Sequence, residues 1–258
     1  MTASYYERTD EHRFKPTEHT GGAWHDDEQH FSPVGGLITH AIDQFLQDHP
    51  APGLTVSRLS FDILGRIARE ECEIQVRTTR PGRTVQLVEA VLEIGGRSVV
   101  QARAWLLTTL DTTAVADTPV PAIAPPEAFP AWDMTGLWDG GYIDSLEVRR
   151  EAPRPGRTTA WLTTPVTLVA GEPSSPLASY LTLVDTANGI AVQRSPREWM
   201  FPNVDLTVHL HRQPQGPWTG LDTTVSFGPA GHGVTSTVLH DLHGPLGTAQ
   251  QSLTVRPL

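Results

Sequence analysis

Apolar and polar residues alternate along much of this chain with the period of two that a half-buried strand requires, and helical spacing interrupts that alternation in two places. VQLVEAVLEI (85–94) sets Val88, Ala90, Leu92 and Ile94 on one face. Gly95-Gly96 turns the chain, and SVVQARAWLL (98–107) returns with Val100, Ala102, Ala104 and Leu106 on the matching face. This pattern predicts a β-hairpin with one buried side. Upstream, Leu37, Ile38, Ala41, Ile42, Phe45 and Leu46 recur at helical spacing. Ser32-Pro33 before them predicts a helix start, with serine as N-cap and proline in the first turn. After Pro50 and Pro52, Leu54-Thr55-Val56 begins a strand.

The second half repeats this order. Ser175-Pro176 opens a helix whose stripe is Leu177, Tyr180, Leu181 and Val184, with Asn188-Gly189 as its stop. Leu206-Thr207-Val208 repeats the earlier Leu-Thr-Val, and strand-like runs follow at 221–227, 234–241 and 247–256. Between the halves, residues 111–130 (DTTAVADTPVPAIAPPEAFP) hold five prolines and no sustained period, which predicts an extended linker. The expected organisation is an N-terminal unit (1–110), a linker (111–130) and a C-terminal unit (131–258), each unit an antiparallel α+β layer pair.

Three places in the second half break the pattern. In the final strand, Gly247, Ala249, Gln251, Leu253 and Val255 share the inward face, so Gln251 puts an amide where only apolar residues belong. A buried amide without partners costs roughly 1–3 kcal/mol; a structural bond to backbone is the plain explanation. Asp185, four residues after Leu181, lies on the flank of the helical stripe rather than opposite it. A half-buried carboxylate suits a general base, although it also stands near the end of its helix. In FPNVDLTVHLH (201–211), Asn203, Asp205, Thr207, His209 and His211 share one face, and Asn203 and Thr207 are candidates to hold a water or a substrate carbonyl. A solvated outer face is the other interpretation.

The chain of 258 residues carries a formal charge of −10, which disfavours a nucleic-acid partner. No apolar run is long enough to span a membrane, and the N-terminus lacks the apolar core of a signal peptide, so a cytoplasmic protein is expected. Cys72, the one cysteine, lies in ECEIQV, where acidic neighbours should raise its pKa and blunt it as a nucleophile. The pairs within His25–His30, His209–His211 and His240–His243 match no strong zinc signature, and neither a metal nor another cofactor is expected. Serine-hydrolase, phosphate-loop and dinucleotide fingerprints are missing from the sequence.

HFSPVGGLITHAI (30–42), RPGRTVQLVEAVLEIGGRSVVQARAWLL (80–107), LVDTANG (183–189), LTVHLHRQPQGPW (206–218) and GPLGTAQQSLTV (244–255) occur in an order that resembles the acyl-CoA thioesterase II type of tandem hot-dog protein. The resemblance implies a double hot-dog fold, each unit a long helix wrapped by an antiparallel sheet. It also implies hydrolysis of fatty acyl-CoA by a water held between an Asp, a Ser/Thr and a Gln of the second unit. Asp185 and Gln251 take the Asp and Gln places. Asn203 stands where the hydroxyl belongs, and Thr207 is the nearest hydroxyl on the same predicted face. Amides near Gly35-Gly36, at the first helix N-terminus, would polarise the thioester carbonyl. Two other assignments compete for these residues: an inactive acyl-CoA or lipid-binding hot-dog protein, favoured by Asn203, and a hot-dog hydratase, for which His30 and His40 flank the first helix but the characteristic spacing of Asp with His is not visible. A tandem unit already supplies the pseudo-dimer that single hot dogs build by association, and a homo-oligomer of it stays open.

Overall fold

The computed structural model describes residues 3–22, 24–25 and 27–258. In chain order its elements are β1 (Ser4–Asp10), β2 (Arg13–Pro16), α1 (Phe31–Asp48), β3 (Leu54–Ile63), β4 (Cys72–Arg80), β5 (Val85–Ile94), β6 (Arg97–Thr108), α2 (Gly141–Asp144), β7 (Glu147–Arg154), β8 (Arg157–Thr163), β9 (Thr167–Val169), α3 (Pro176–Val184), α4 (Ala187–Ile190), β10 (Trp199–Met200), β11 (Asp205–Leu210), β12 (Thr219–Phe227), β13 (His232–Asp241), β14 (Gly244–Thr254) and β15 (Arg256–Pro257). The period-two runs became strands because each could bury one face. In β5 the burial alternates at every residue, and the apolar residues named above point inward.

Thirteen strands form one sheet in the order β7-β8-β12-β13-β14-β11-β3-β6-β5-β4-β2-β1-β9. The centre is an antiparallel seam between the halves, where β11 pairs with β3 and Val208 faces Leu59. On either side of the seam lie four strands of matching order, β11-β14-β13-β12 and β3-β6-β5-β4. At one margin β1 pairs in parallel with β9, so the N-terminal strand is seated on the second half. The alternation does not announce β1, because Ser4, Tyr5 and Tyr6 are buried consecutively.

The helices α1 and α3 pack on each other inside the curve of the sheet. Val34, Leu37, Ile38 and Ile42 of α1 and Leu181 and Val184 of α3 are fully buried there. Each such side chain contributes roughly 1.5–3 kcal/mol of burial free energy. Close approach of the two helices depends on Gly36, where a Cβ would lie 2.0 Å from Thr182 Oγ1 and 3.1 Å from the Ala178 carbonyl oxygen. Matching bonds mark the internal duplication: Thr39 Oγ1 donates to the Gly35 carbonyl and Thr182 Oγ1 to that of Ala178, both at 2.8 Å.

Several expectations need adjustment. Helix α1 begins at Phe31 with His30 as N-cap, which makes Ser32 and Pro33 its second and third residues. In α3 the expected Ser175 cap is present, accepting from the Ala178 amide at 3.0 Å, but the helix ends at Val184 rather than at Asn188-Gly189. Residues 111–130 have no strand, yet they are not loose: Pro126 and Phe129 are buried, and Trp161 Nε1 donates to the Ala124 carbonyl at 2.8 Å. Burial, more than the Glu71 charge, pushes the Cys72 thiol up to about 12. No helix among the described residues is long and apolar enough to cross a membrane.

Candidate active site

Asp185 is the C-cap of α3, 3% exposed, immediately before the chain re-coils into α4. Its burial follows from where α3 ends. The last turn is wedged under the sheet, so a residue expected on a flank lies wholly inside. Gln251 reaches it from β14: Nε2 donates to Asp185 Oδ1 at 2.8 Å and to the Asp185 carbonyl at 3.2 Å. Asn203 reaches it from the approach to β11, with Nδ2 donating to the same Oδ1 at 2.7 Å and to the Asp205 carbonyl at 3.1 Å. One carboxylate oxygen is thus saturated by two amides. The other, Oδ2, lies 3.9 Å from His30 Nδ1, beyond hydrogen-bonding distance. The Oε1 of Gln251 is buried and has no protein partner.

Desolvation dominates the electrostatics. It raises the Asp185 carboxyl to about 7, against the two amide donors that favour the anion, with a further upward push from the charge of Asp205. Burial alone lowers the His30 imidazole to about 3. His30 is held by three contacts. Its Nδ1 accepts the Ser32 amide at 3.1 Å, its own amide donates to the Thr20 carbonyl at 2.8 Å, and its ring stacks on Tyr142 with centroids 4.3 Å apart. Tyr142 is fixed in turn by bonds to Thr186 Oγ1 (2.7 Å) and the Thr182 carbonyl (3.1 Å).

Asp185, Asn203 and His30 line one cavity of about 340 Å³. Its apolar wall includes Trp24, Phe31, Ile63, Ile67 and Met200, and Arg66 and Arg256 also line it. Arg66 is paired with Asp27. Arg256 contacts Thr254 and Met200 and makes no ion pair among the described residues.

Of the sequence-predicted residues, Asp185, Gln251 and Asn203 come together. Gly35 and Gly36 do not join them: they are the fifth and sixth residues of α1, inside its own i→i−4 ladder, and neither lines the cavity. The predicted helix N-terminus was two residues too late, and Gly36 serves the α1–α3 contact instead. Thr207 is also elsewhere. It lies within the sheet between Gln250 and Ser60, on the face opposite the helices, because β11 starts only at Asp205 and the chain bends at Val204. The bend breaks the period of two, so Asn203 turns inward while Thr207 turns outward. The sequence offers His30 as a flanking histidine of the first helix and as one end of the His25–His30 pair, and nothing local marks it as a cap.

The same count of three residues beyond the duplicated threonines reaches Asp185 in the second half and Ile42 in the first, where the side chain is fully buried and apolar. The carboxylate therefore has no counterpart at the related end of the helix pair. There Ser175 bonds Asp43 at 2.5 Å, and Glu172, drawn down to about 2 chiefly by Arg8, also bonds His40 at 2.9 Å. Among the described residues no three His, Cys, Asp or Glu side chains gather as metal ligands; Asp26, within the His25–His30 run, lies outside them.

Two family models match the chain, the acyl-CoA thioesterase N-terminal domain over residues 20–107 and the acyl-CoA thioesterase C-terminal domain over residues 121–255. No curated protein matches it by sequence. Among solved structures it is similar to a conserved protein with hot dog fold from Alicyclobacillus acidocaldarius, at 14% identity and a TM-score of 0.74, covering 96% of this chain and 95% of that one. It is also similar to the acyl-CoA thioesterase II TesB2 from Mycobacterium marinum, at 15% identity and a TM-score of 0.67, covering 98% and 95%. At such identities the likeness speaks for the fold, a tandem hot-dog α+β architecture.

Proposed function

The chain belongs to the acyl-CoA thioesterase family, a family of thioester hydrolases, and on that premise we propose that it hydrolyses a fatty acyl-CoA to free acid and CoA with a water positioned by Asp185 and Gln251. In this proposal residues 1–110 and 131–258 are the two hot-dog units, joined by 111–130. One observation carries it: Asp185 Oδ1 is occupied by Asn203 and Gln251, while Oδ2 and the buried, unpartnered Oε1 of Gln251 are both left as acceptors. A cavity water donating a hydrogen to Oδ2 would be held with a lone pair free for attack on the thioester carbon, while Gln251, which does not line the cavity, acts by fixing the carboxylate.

The step balances without a covalent enzyme intermediate. Water oxygen bonds the carbonyl carbon as its proton passes to Asp185, and the carbonyl π pair moves onto oxygen. Collapse re-forms the carbonyl, breaks the C–S bond and returns the proton to the CoA sulfur. Asn203, in the place of the usual water-holding Ser/Thr hydroxyl, donates to the carboxylate instead and in this scheme orients Asp185. The apolar cavity wall would take the start of the acyl chain.

The test is CoA release across short, medium and long acyl-CoAs. Absence of turnover with all three classes would sink the assignment. Two further outcomes are expected. The base must be ionised, so kcat/KM should rise with pH about a midpoint near 7, where burial sets the Asp185 carboxyl, and level off above it. A profile flat from pH 5 to 9 would contradict Asp185 as base. Arg256, which lines the cavity without an acidic partner among the described residues, would meet the CoA phosphates, which neutral glutamine could not pair. Arg256→Gln is expected to raise KM about threefold to tenfold with kcat little changed, the worth of one partly exposed charge contact.

A further inference from the structure

Hydrolysis of a thioester needs a donor for the carbonyl oxygen as well as a base for water, and the expected source is not available. The Gly35 and Gly36 amides are spent inside α1, Pro33 has no N–H, and the Ser32 amide is taken by His30 Nδ1. Of the first helical amides, only that of Phe31, which also lines the cavity, has no acceptor within the helix by its position.

His30 supplies what is missing. Because Nδ1 accepts the Ser32 amide, the ring proton of the neutral imidazole is on Nε2. Among the described residues Nε2 makes no hydrogen bond, and it is not among the buried unpartnered atoms. The side chain retains 13% exposure, and His30 lines the cavity that holds Asp185. Stacking on Tyr142 holds the plane of the ring. We propose that His30 is a catalytic residue whose Nε2–H, with the Phe31 amide, donates to the thioester carbonyl oxygen as negative charge develops on it.

This inference rests on the hydrolase proposal and adds the electrophilic half of the site. A neutral donor is suited to the place. An imidazolium beside Asp185 would form an ion pair and quench the base, whereas a buried neutral ring stabilises the oxyanion and leaves the carboxylate free. The electron pair released onto oxygen during water attack is met by the Nε2 hydrogen bond. It returns to carbon when the C–S bond breaks, so His30 gives up no proton in the cycle.

Two variants separate this role from helix capping. In His30→Asn the side-chain oxygen can still accept the Ser32 amide, since asparagine is a strong N-cap, but nothing reaches the position of Nε2. In His30→Gln the longer amide can place an N–H near that position. Expected is a fall in kcat of about 100-fold for His30→Asn, the effect of losing one oxyanion donor, with KM and Tm close to wild type. His30→Gln should recover part of that kcat. Steady-state kinetics with acyl-CoA and thermal melts, run beside wild type and Asp185→Asn, read all of this. If His30→Asn keeps wild-type kcat, or if the Asn and Gln variants are equally slow, the donor role is overturned while hydrolysis by Asp185 stands. If wild type itself releases no CoA, the hydrolase proposal and this one fall together.

Discussion

Asp185→Asn is expected to abolish thioester hydrolysis and, above neutral pH, to make the protein more stable. The activity loss should be about a thousandfold or more, because asparagine can position a water but cannot take its proton. The gain in stability follows from burial. An unfolded aspartate titrates near 3.8, while in the fold desolvation raises Asp185 to about 7. For an acid raised in this direction, the folded state holds the proton more tightly. Below the lower value both states are protonated and there is no penalty. Between the two values stability falls as pH rises, and above 7 the whole penalty is present. Its ceiling is about 4 kcal/mol at pH 8, reduced by whatever hydration the cavity supplies. Asparagine carries no charge, and its oxygen can still accept from Asn203 and Gln251. The melting temperatures of wild type and variant should therefore nearly coincide at pH 4 and separate at pH 8 by roughly 3–8 °C. A variant that keeps a tenth of wild-type kcat, or melts below wild type at pH 8, contradicts the role given to this carboxylate.

Gly36→Ala should be the most damaging small substitution in the helix pair. Alanine is ordinarily about 1 kcal/mol better than glycine inside a helix. Here the added Cβ would stand 2.0 Å from Thr182 Oγ1, 3.0 Å from Thr182 Cβ and 3.1 Å from the Ala178 carbonyl oxygen. Thr182 is buried and its hydroxyl is bonded to Ala178, so α1 and α3 must separate. Overpacking of this kind costs about 1–3 kcal/mol, and here a backbone atom stands in the way, so the clash outweighs the propensity. With the propensity gain subtracted, the expected net loss is about 1–2 kcal/mol, seen as a Tm lower by roughly 2–8 °C. Activity should fall with it, since the end of α3 carries Asp185. Gly35→Ala is the control: its Cβ would find nothing closer than 3.5 Å, so helix propensity should prevail and stability hold or rise. Equal melting temperatures for the two variants would contradict this account of the interface.

The first of these outcomes was partly legible in the sequence and the second was not. Asp185 and Gln251 stood out because each puts a polar group into an apolar period, and a polar group there must be paired or used. Gly36 carried no such mark. A glycine in a helical run shows neither what faces it nor that the facing residue is a threonine far along the chain. The histidines mislead in a similar way. His30 lies in a polar stretch beside better capping residues, and its selection as N-cap depends on Tyr142 and Thr20 holding its ring and amide from elsewhere.

The sequence by itself determined the main strands and the main helix of each half, their duplicated order, and which face of the last strand is buried, because these follow from local periodicity and the preferences of caps and turns, whereas the marginal strands such as β1 carry no such signal. It also marked Asp185 and Gln251 for the same reason, and Asn203 by its place on the 201–211 face and by the family resemblance. Only the tertiary structure decided that Asn203 turns inward at the bend before β11 while Thr207 turns outward. It also decided that α3 stops at Asp185, that the α1 N-terminus is formed at His30, and that one end of the helix pair carries an acid where the other carries Ile42. Each of these depends on where a segment is seated against distant residues, and burial and desolvation are properties of that seating rather than of the residues themselves.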